Sequence, residues 1–329
     1  MYKTIYPIIS LRFWQAYWIT MRPYLLFVSA VAGMAGFAAG SQIEIGATIG
    51  ALLAFFLSYG FGQALTDCFQ TDTDSISSPY RPLVQGVITK KQVLSVSLIG
   101  LFGCCLILFA LNPWTLILGI LSVLGLATYT YFKRRWWAGP FYNAWIVALL
   151  PIMGKMAAGG TDHSIANVFE NHVLIPIVIS VFFSYANFVL MGYFKDISAD
   201  RASGYNTFVV AYGWNKAAIG SDLFAFVSVL ATGWGISMVL LTDMAFSTRW
   251  ISIPIFLAAI VILIFAQAGI HRINDERAAH RPITNVVRGF LLLHLAEINL
   301  MRPGWFVCSL IFYALFELTL KIRPEKGQV

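Results

Sequence analysis

Nine apolar runs, each close to the length that crosses a bilayer, leave this chain few folds to adopt. They lie at approximately 22–40, 45–66, 92–111, 113–132, 140–158, 173–194, 217–241, 250–270 and 303–321. A hydrocarbon core about 30 Å thick takes about 20 apolar residues per helix. Within it every backbone N–H and C=O must find a partner, which leaves helices for runs of this length. Only 11% of the 329 residues are charged, against about 25% in soluble domains, so too few charges remain to cover a water-facing surface. The sequence therefore predicts an all-α membrane protein with about nine transmembrane helices in a single bundle around a central cavity. One integral-membrane domain covers 1–329, with 1–21 as an N-terminal segment and 322–329 as a C-terminal tail. The stretch 284–300 carries Arg288, His294 and Glu297, and on that account reads as lying in the interface rather than spanning.

The net charge of +7 comes without a basic face or a recognition motif, which argues against nucleic acid. Most of the 22 lysines and arginines fall between alternate runs, on the side that holds the N-terminus. The positive-inside rule makes that side cytoplasmic, and nine spans put the C-terminus outside, where the basic tail is the one local exception. No small-residue cleavage site follows the mixed aromatic and basic start, so no signal peptide is read. Cys68, Cys104, Cys105 and Cys308 have neither zinc nor disulfide spacing.

Two groups of acidic residues follow the second and sixth runs. The first group is Asp67, Asp72 and Asp74, with Gln70 between them and Arg81-Pro82 beyond; the second is Asp196 and Asp200, flanked by Lys195 and Arg201. On continuous helices Asp67, Gln70 and Asp74 share one face, and so do Asp196 and Asp200. Two such faces opposed across a bundle form an oxygen-rich site suited to Mg2+, which keeps waters and bridges to substrate phosphates. Arg81, Lys133, Arg134, Lys195 and Arg201 then supply cations for phosphate oxygens. Asn187 is an amide within a span and needs a partner, either substrate or a neighbouring helix. Lys155, near the outer end of the fifth run, snorkels to the interface. His271 and His280 sit in a basic loop, and 272–288 has the length to cap the site.

These residues resemble the UbiA superfamily of intramembrane prenyltransferases. Its first motif, N-D-x-x-D-x-x-x-D with R-P seven residues on, is met by Asp67, Asp74 and Arg81-Pro82; Pro79-Tyr80-Arg81-Pro82-Leu83 with Gly86 looks most like the chlorophyll synthase branch. Its second motif is met by Asp196, Asp200, Arg201 and Gly204, and a Y-x-x-x-K patch by Tyr129 and Lys133. Thr66 and Gln70 depart from the family's Asn and Asp, both of which help hold Mg2+ there. Asp72 is a carboxylate the pattern does not require, and it reaches the site only if the helix ends or bends near Gln70.

The resemblance implies the chemistry. Asp67, Gln70, Asp74, Asp196 and Asp200 would hold Mg2+, and Arg81, Lys133, Arg134 and Lys195 the diphosphate of an isoprenoid. Tyr129, Tyr185, Phe188 and Tyr193 would shield an allylic cation, and a lipophilic acceptor, aromatic or otherwise, would capture it. A terpene cyclase of the same superfamily, acting on the diphosphate alone, is the alternative. A secondary transporter is a more remote one, because the acids sit at helix ends rather than at the midplane.

Overall fold

The computed structural model describes residues 4–41, 43–159, 164, 167–170, 172–242 and 249–324, so Lys3 and Lys326 lie outside the described residues. No strand occurs among them. The helices are α1 (Leu11–Met21), α2 (Leu26–Ala38), α3 (Ile45–Asp67), α4 (Thr71–Ser77), α5 (Pro82–Gln85), α6 (Lys90–Leu111), α7 (Thr115–Arg135) and α8 (Gly139–Ala157). They continue with α9 (Leu174–Tyr193), α10 (Ile197–Ala202), α11 (Phe208–Tyr212), α12 (Trp214–Thr242), α13 (Ser252–His271), α14 (His280–Met301) and α15 (Phe306–Lys321). Among the described residues, eight helical segments are long and apolar enough to cross a membrane, and α1–α2, bent by 46° at Arg22, makes a ninth if it is one span. α8 falls short of that apolarity because it carries Asn143, Pro151 and Lys155, yet it runs the full depth, packed on α2, α7 and α9.

The 284–300 stretch is not interfacial. It forms most of α14, one of the most buried helices, set against α13, α2 and α9. Its polar groups that look water-seeking in the sequence are satisfied internally. His294 Nδ1 bonds Glu297 at 2.8 Å, its Nε2 bonds Ser184 Oγ at 3.1 Å, and Thr232 donates to Glu297 at 2.9 Å. This network ties α14 to α9 and α12 where no water is at hand.

Adding α14 changes the parity of the chain. From α2 it passes ten times between the two ends of the bundle, through α2, α3, α6, α7, α8, α9, α12, α13, α14 and α15. α15 therefore returns to the Pro23–Leu25 turn beside the start of α2, not to the far side as nine spans require. Lys321 and Arg323 then join the basic end, and the exception posed by the tail disappears. At the far end Lys155 is buried rather than snorkelling. Its Nζ donates to the Ala39 carbonyl at 2.8 Å, and Arg302 Nε donates to Ala38 at 3.1 Å, so two cations cap the C-terminus of α2.

α2 and α8 cross at backbone contact. A Cβ on Gly36 would lie 1.8 Å from the Pro151 carbonyl oxygen, and one on Gly154 would lie 2.0 Å from that of Gly33. Small residues permit this approach between membrane helices. Gly36→Ala must push two backbones apart, with an expected loss of about 1–3 kcal/mol, read as a lower unfolding temperature in detergent. Reporters fused at the two chain ends are expected on the same side of the membrane; opposite accessibility would refute ten passes.

Candidate active site

Both acidic segments lie just beyond a helix break, not on the continuous spans that their spacing suggests. α3 stops at Asp67 and α4 begins at Thr71, with Gln70 off the helix at φ −121°, ψ 17°. Asp72 and Asp74 occupy the first turn of α4, where carboxylates favour a new helix start. Pro79 then ends that helix by restricting Ser78. α9 likewise stops at Tyr193, Asp196 is the N-cap of α10, and Asp200 lies in its first turn. The two short helices pack together, with Thr73 Oγ1 donating to Asp200 at 3.3 Å.

Cations link the segments. Lys133 Nζ lies 3.1 Å from Gln70 Oε1 and 3.7 Å from Asp200. Arg81 pairs with Asp74, and its Nη1 is 3.7 Å from Asp67. Arg22 Nη2 reaches both Asp67 oxygens at 3.0 and 3.2 Å, and Gln63 Nε2 donates to Asp67 at 2.6 Å. Arg22 also has φ 53°, ψ 72°. It is the one non-glycine with positive φ among the described residues, held in a disfavoured conformation ahead of Pro23. Lys195 sits 3.2 Å from Asp196.

These neighbours tune the carboxyls. Burial works against the Asp196 carboxylate, but Lys195, Lys133 and Arg81 outweigh it and hold its carboxyl below the usual range. Burial pushes Asp74 up, opposed by Arg81 and reinforced by Asp67. Burial also pushes Asp200 up, against the pull of Lys133.

Between α3, α6, α7, α8 and α9 lies a cavity of about 180 Å3. Its polar end holds Arg22, Gln70, Asp74, Arg81, Lys133, Lys195 and Asp196; its apolar arm runs through Phe55, Leu101, Leu108, Val147, Leu150 and Met153. Tyr129, Tyr185, Phe188 and Tyr193 line the junction, and the Tyr129 and Tyr193 hydroxyls share a 2.8 Å hydrogen bond.

Several residues singled out in the sequence do not line this cavity, Asp200 among them. Asn187 does not line the cavity; its Oδ1 accepts from Ser221 at 2.5 Å and Gln267 at 3.3 Å, so its partner is the α12–α13 side of the bundle. Arg134 sits at the rim, bonded to Asp72 at 2.5 Å and to Tyr205 Oη at 3.0 Å. Asp72, freed from the span by the break, serves that latch rather than the cavity. Asp67 lies behind the wall, engaged by its arginines. Arg201 is exposed.

The sequence profile of the UbiA prenyltransferase family matches residues 26–321. The chain belongs to the UbiA prenyltransferase family. Among its relatives is a digeranylgeranylglyceryl phosphate synthase of Thermococcus kodakarensis, 28% identical over 218 residues, 64% of this chain and 74% of that one. The chloroplastic chlorophyll synthase of Arabidopsis thaliana is 28% identical over 173 residues, 48% of this chain and 42% of the plant protein. In fold, the chain is similar to a UbiA homolog from Archaeoglobus fulgidus bound to DMAPP and Mg2+, with a TM-score of 0.61 at 16% identity, covering 84% of this chain and 98% of that one.

The side chains of this prenyltransferase fit a divalent cation at one segment and not at the other. Asp200 Oδ2 is buried without a hydrogen-bond partner; Asp200 itself stands behind the cavity wall, while Asp196, four residues before it, lines the polar end. That pair, with Asp74 opposite, suits an ion that completes its shell with water and phosphate. Asp67 does not fit, since its oxygens are already taken by nitrogen donors. Among the described residues no three His, Cys, Asp or Glu side chains converge enough to hold an ion unaided.

Sequence reading missed Arg22, Gln63 and Thr73. Arg22-Pro23 at the head of the first run was a visible signal, but its partner lies 45 positions away. Replacing Asn187 with Leu takes the acceptor from Gln267 Nε2 and leaves Ser221 only its bond to Gln267 Oε1, with an expected cost of about 1–3 kcal/mol. Pyrophosphate affinity is expected to stay unchanged; a loss of affinity without a loss of stability would return Asn187 to the substrate.

Proposed function

We propose that this prenyltransferase ionises an allylic isoprenoid diphosphate and passes the prenyl group to a lipophilic acceptor, with Mg2+ as cofactor. The observation that carries this reading is the meeting of both acidic segments, bridged by Lys133, at the polar end of an otherwise apolar cavity. A molecule with a charged head and an oily tail matches that division. Arg81, Lys133 and Lys195, which all line the polar end, take the diphosphate oxygens. Charge-assisted hydrogen bonds of this kind favour the polyanionic leaving group, which gains one negative charge as the C–O bond breaks, over a neutral ligand.

Asp196, Asp200 and Asp74 would hold the cation, which neutralises charge on the departing diphosphate. As the allylic C–O bond breaks, its electron pair leaves with pyrophosphate. The positive charge left on the prenyl carbon lies at the junction lined by Tyr129, Tyr185, Phe188 and Tyr193. Aromatic faces attract that charge, more strongly in a site that excludes water. The acceptor's electron pair then forms the new bond to carbon, and the acceptor gives up a proton. The relatives' names point to lipophilic acceptors of different kinds. The polar end carries Lys90, Lys91, Lys133, Arg134, Lys195, Lys216, Lys321 and Arg323, which supports a cytoplasmic orientation for it.

The test is pyrophosphate release from geranyl, farnesyl and geranylgeranyl diphosphates in detergent, with Mg2+ or EDTA and a panel of acceptors. Release is expected to need metal and to fall at least about a hundredfold in Asp196→Ala/Asp200→Ala. Release without an acceptor, yielding a hydrocarbon, would make it a cyclase. No release under any of these conditions would sink the reading.

A further inference from the structure

The departures at Thr66 and Gln70 acquire a meaning from what their side chains touch. The Thr66 hydroxyl is turned back onto its own helix and donates to the Gln63 carbonyl at 2.9 Å. Gln70 Oε1 accepts from Lys133 at 3.1 Å, and its Nε2 donates to Thr130 at 3.3 Å. Asp67 accepts at Oδ1 from Arg22 and Gln63, and at Oδ2 from Arg22, with Arg81 beside it. A carboxylate has about four acceptor sites, and here nitrogen donors crowd both oxygens. Of the first segment's carboxylates, only Asp74 lines the cavity.

The two arginines point the other way. Arg22 Nε and Arg81 Nε are buried and have no hydrogen-bond acceptor, while both side chains line the cavity. A buried guanidinium N–H without an acceptor is costly, and oxygens of a bound diphosphate are acceptors of the right charge. The unusual backbone at Arg22 places its side chain where it reaches Asp67 and the cavity together.

We infer that the first acidic segment holds no metal of its own. Asp67 is the anchor of an arginine pair that grips the diphosphate, and the site works with a single divalent cation held from Asp196 and Asp200, with Asp74 reaching across. This rests on the proposed diphosphate chemistry. It assigns Asp67 a positioning role instead of a ligand role, and Arg22 a direct contact with substrate.

The test counts metal directly. Purified full-length chain is dialysed against Mn2+ with inorganic pyrophosphate, and bound Mn2+ is measured by electron paramagnetic resonance. The wild type is expected to hold one Mn2+ per chain with no Mn–Mn dipolar broadening. Asp67→Asn and Arg22→Gln are expected to keep that one ion but to weaken pyrophosphate binding about tenfold, the loss of one charge-assisted contact. Asp196→Asn is expected to lose the ion. Two coupled Mn2+ ions in the wild type would overturn the inference and leave the proposed function standing. So would a folded Asp67→Asn that has lost its ion. If the wild type binds neither Mn2+ nor pyrophosphate, the diphosphate reading falls and the inference falls with it. The wild-type count decides the matter even if a variant fails to fold.

Discussion

The architecture turns on the mutual neutralisation of charges withdrawn from water. Asp67, Asp74 and Asp200 are almost wholly buried, and so are Arg81 and Lys133. A lone buried charge costs several kcal/mol, so none of these groups is tolerable without the others. Their pairing holds the breaks after α3 and α9 in place, because each broken segment is pinned by a cation from elsewhere in the chain. Arg22 comes from the α1–α2 bend, Arg81 from the start of α5 and Lys133 from the end of α7. The pairing is incomplete: Arg22 and Arg81 each keep a buried Nε donor, and Asp200 a buried acceptor, without a partner. That spare capacity is what the proposed diphosphate and its cation would take up.

The gross plan was legible because lipid enforces it. Apolar runs of one length leave the backbone no choice but helix, and the two acidic clusters stood out against so few charges. What could not be read was direction. Asp67, Gln70 and Asp74 have a spacing that suits one helical face, and nothing local announces that the helix stops between them. The stretch 284–300 failed for a related reason. Arg288 alone of its polar groups finds its carboxylate partner toward the periphery, on Glu317, while His294 and Glu297 bond each other, Ser184 and Thr232. A sequence shows that a polar group exists, not whether its partner is water or a residue 110 positions away. Asn187 posed the same choice between substrate and neighbouring helix, and packing decided it.

That missed helix also shows how one local misreading spreads. Removing a single pass reverses the side of everything after it, so the end of α15 moved across the membrane and the basic tail became an anomaly. Restoring α14 resolves both at once. The burial that makes α14 a structural element, rather than a surface helix, is the packing of its apolar stripe on α2, α9 and α13, and its histidine and glutamate are stabilised there only because they hydrogen-bond as a set.

All the charged residues that line the cavity sit at one end of the bundle, and the other end closes with Lys155 and Arg302 on the carbonyls of α2. A polar ligand consequently has a single aqueous compartment to arrive from and to return to, whereas an oily one has the whole bilayer. A cavity of this kind meets water at its polar end alone. Sidedness is thus built into the molecule by where its charges sit, and which water pool the polar end meets follows from how the protein is inserted.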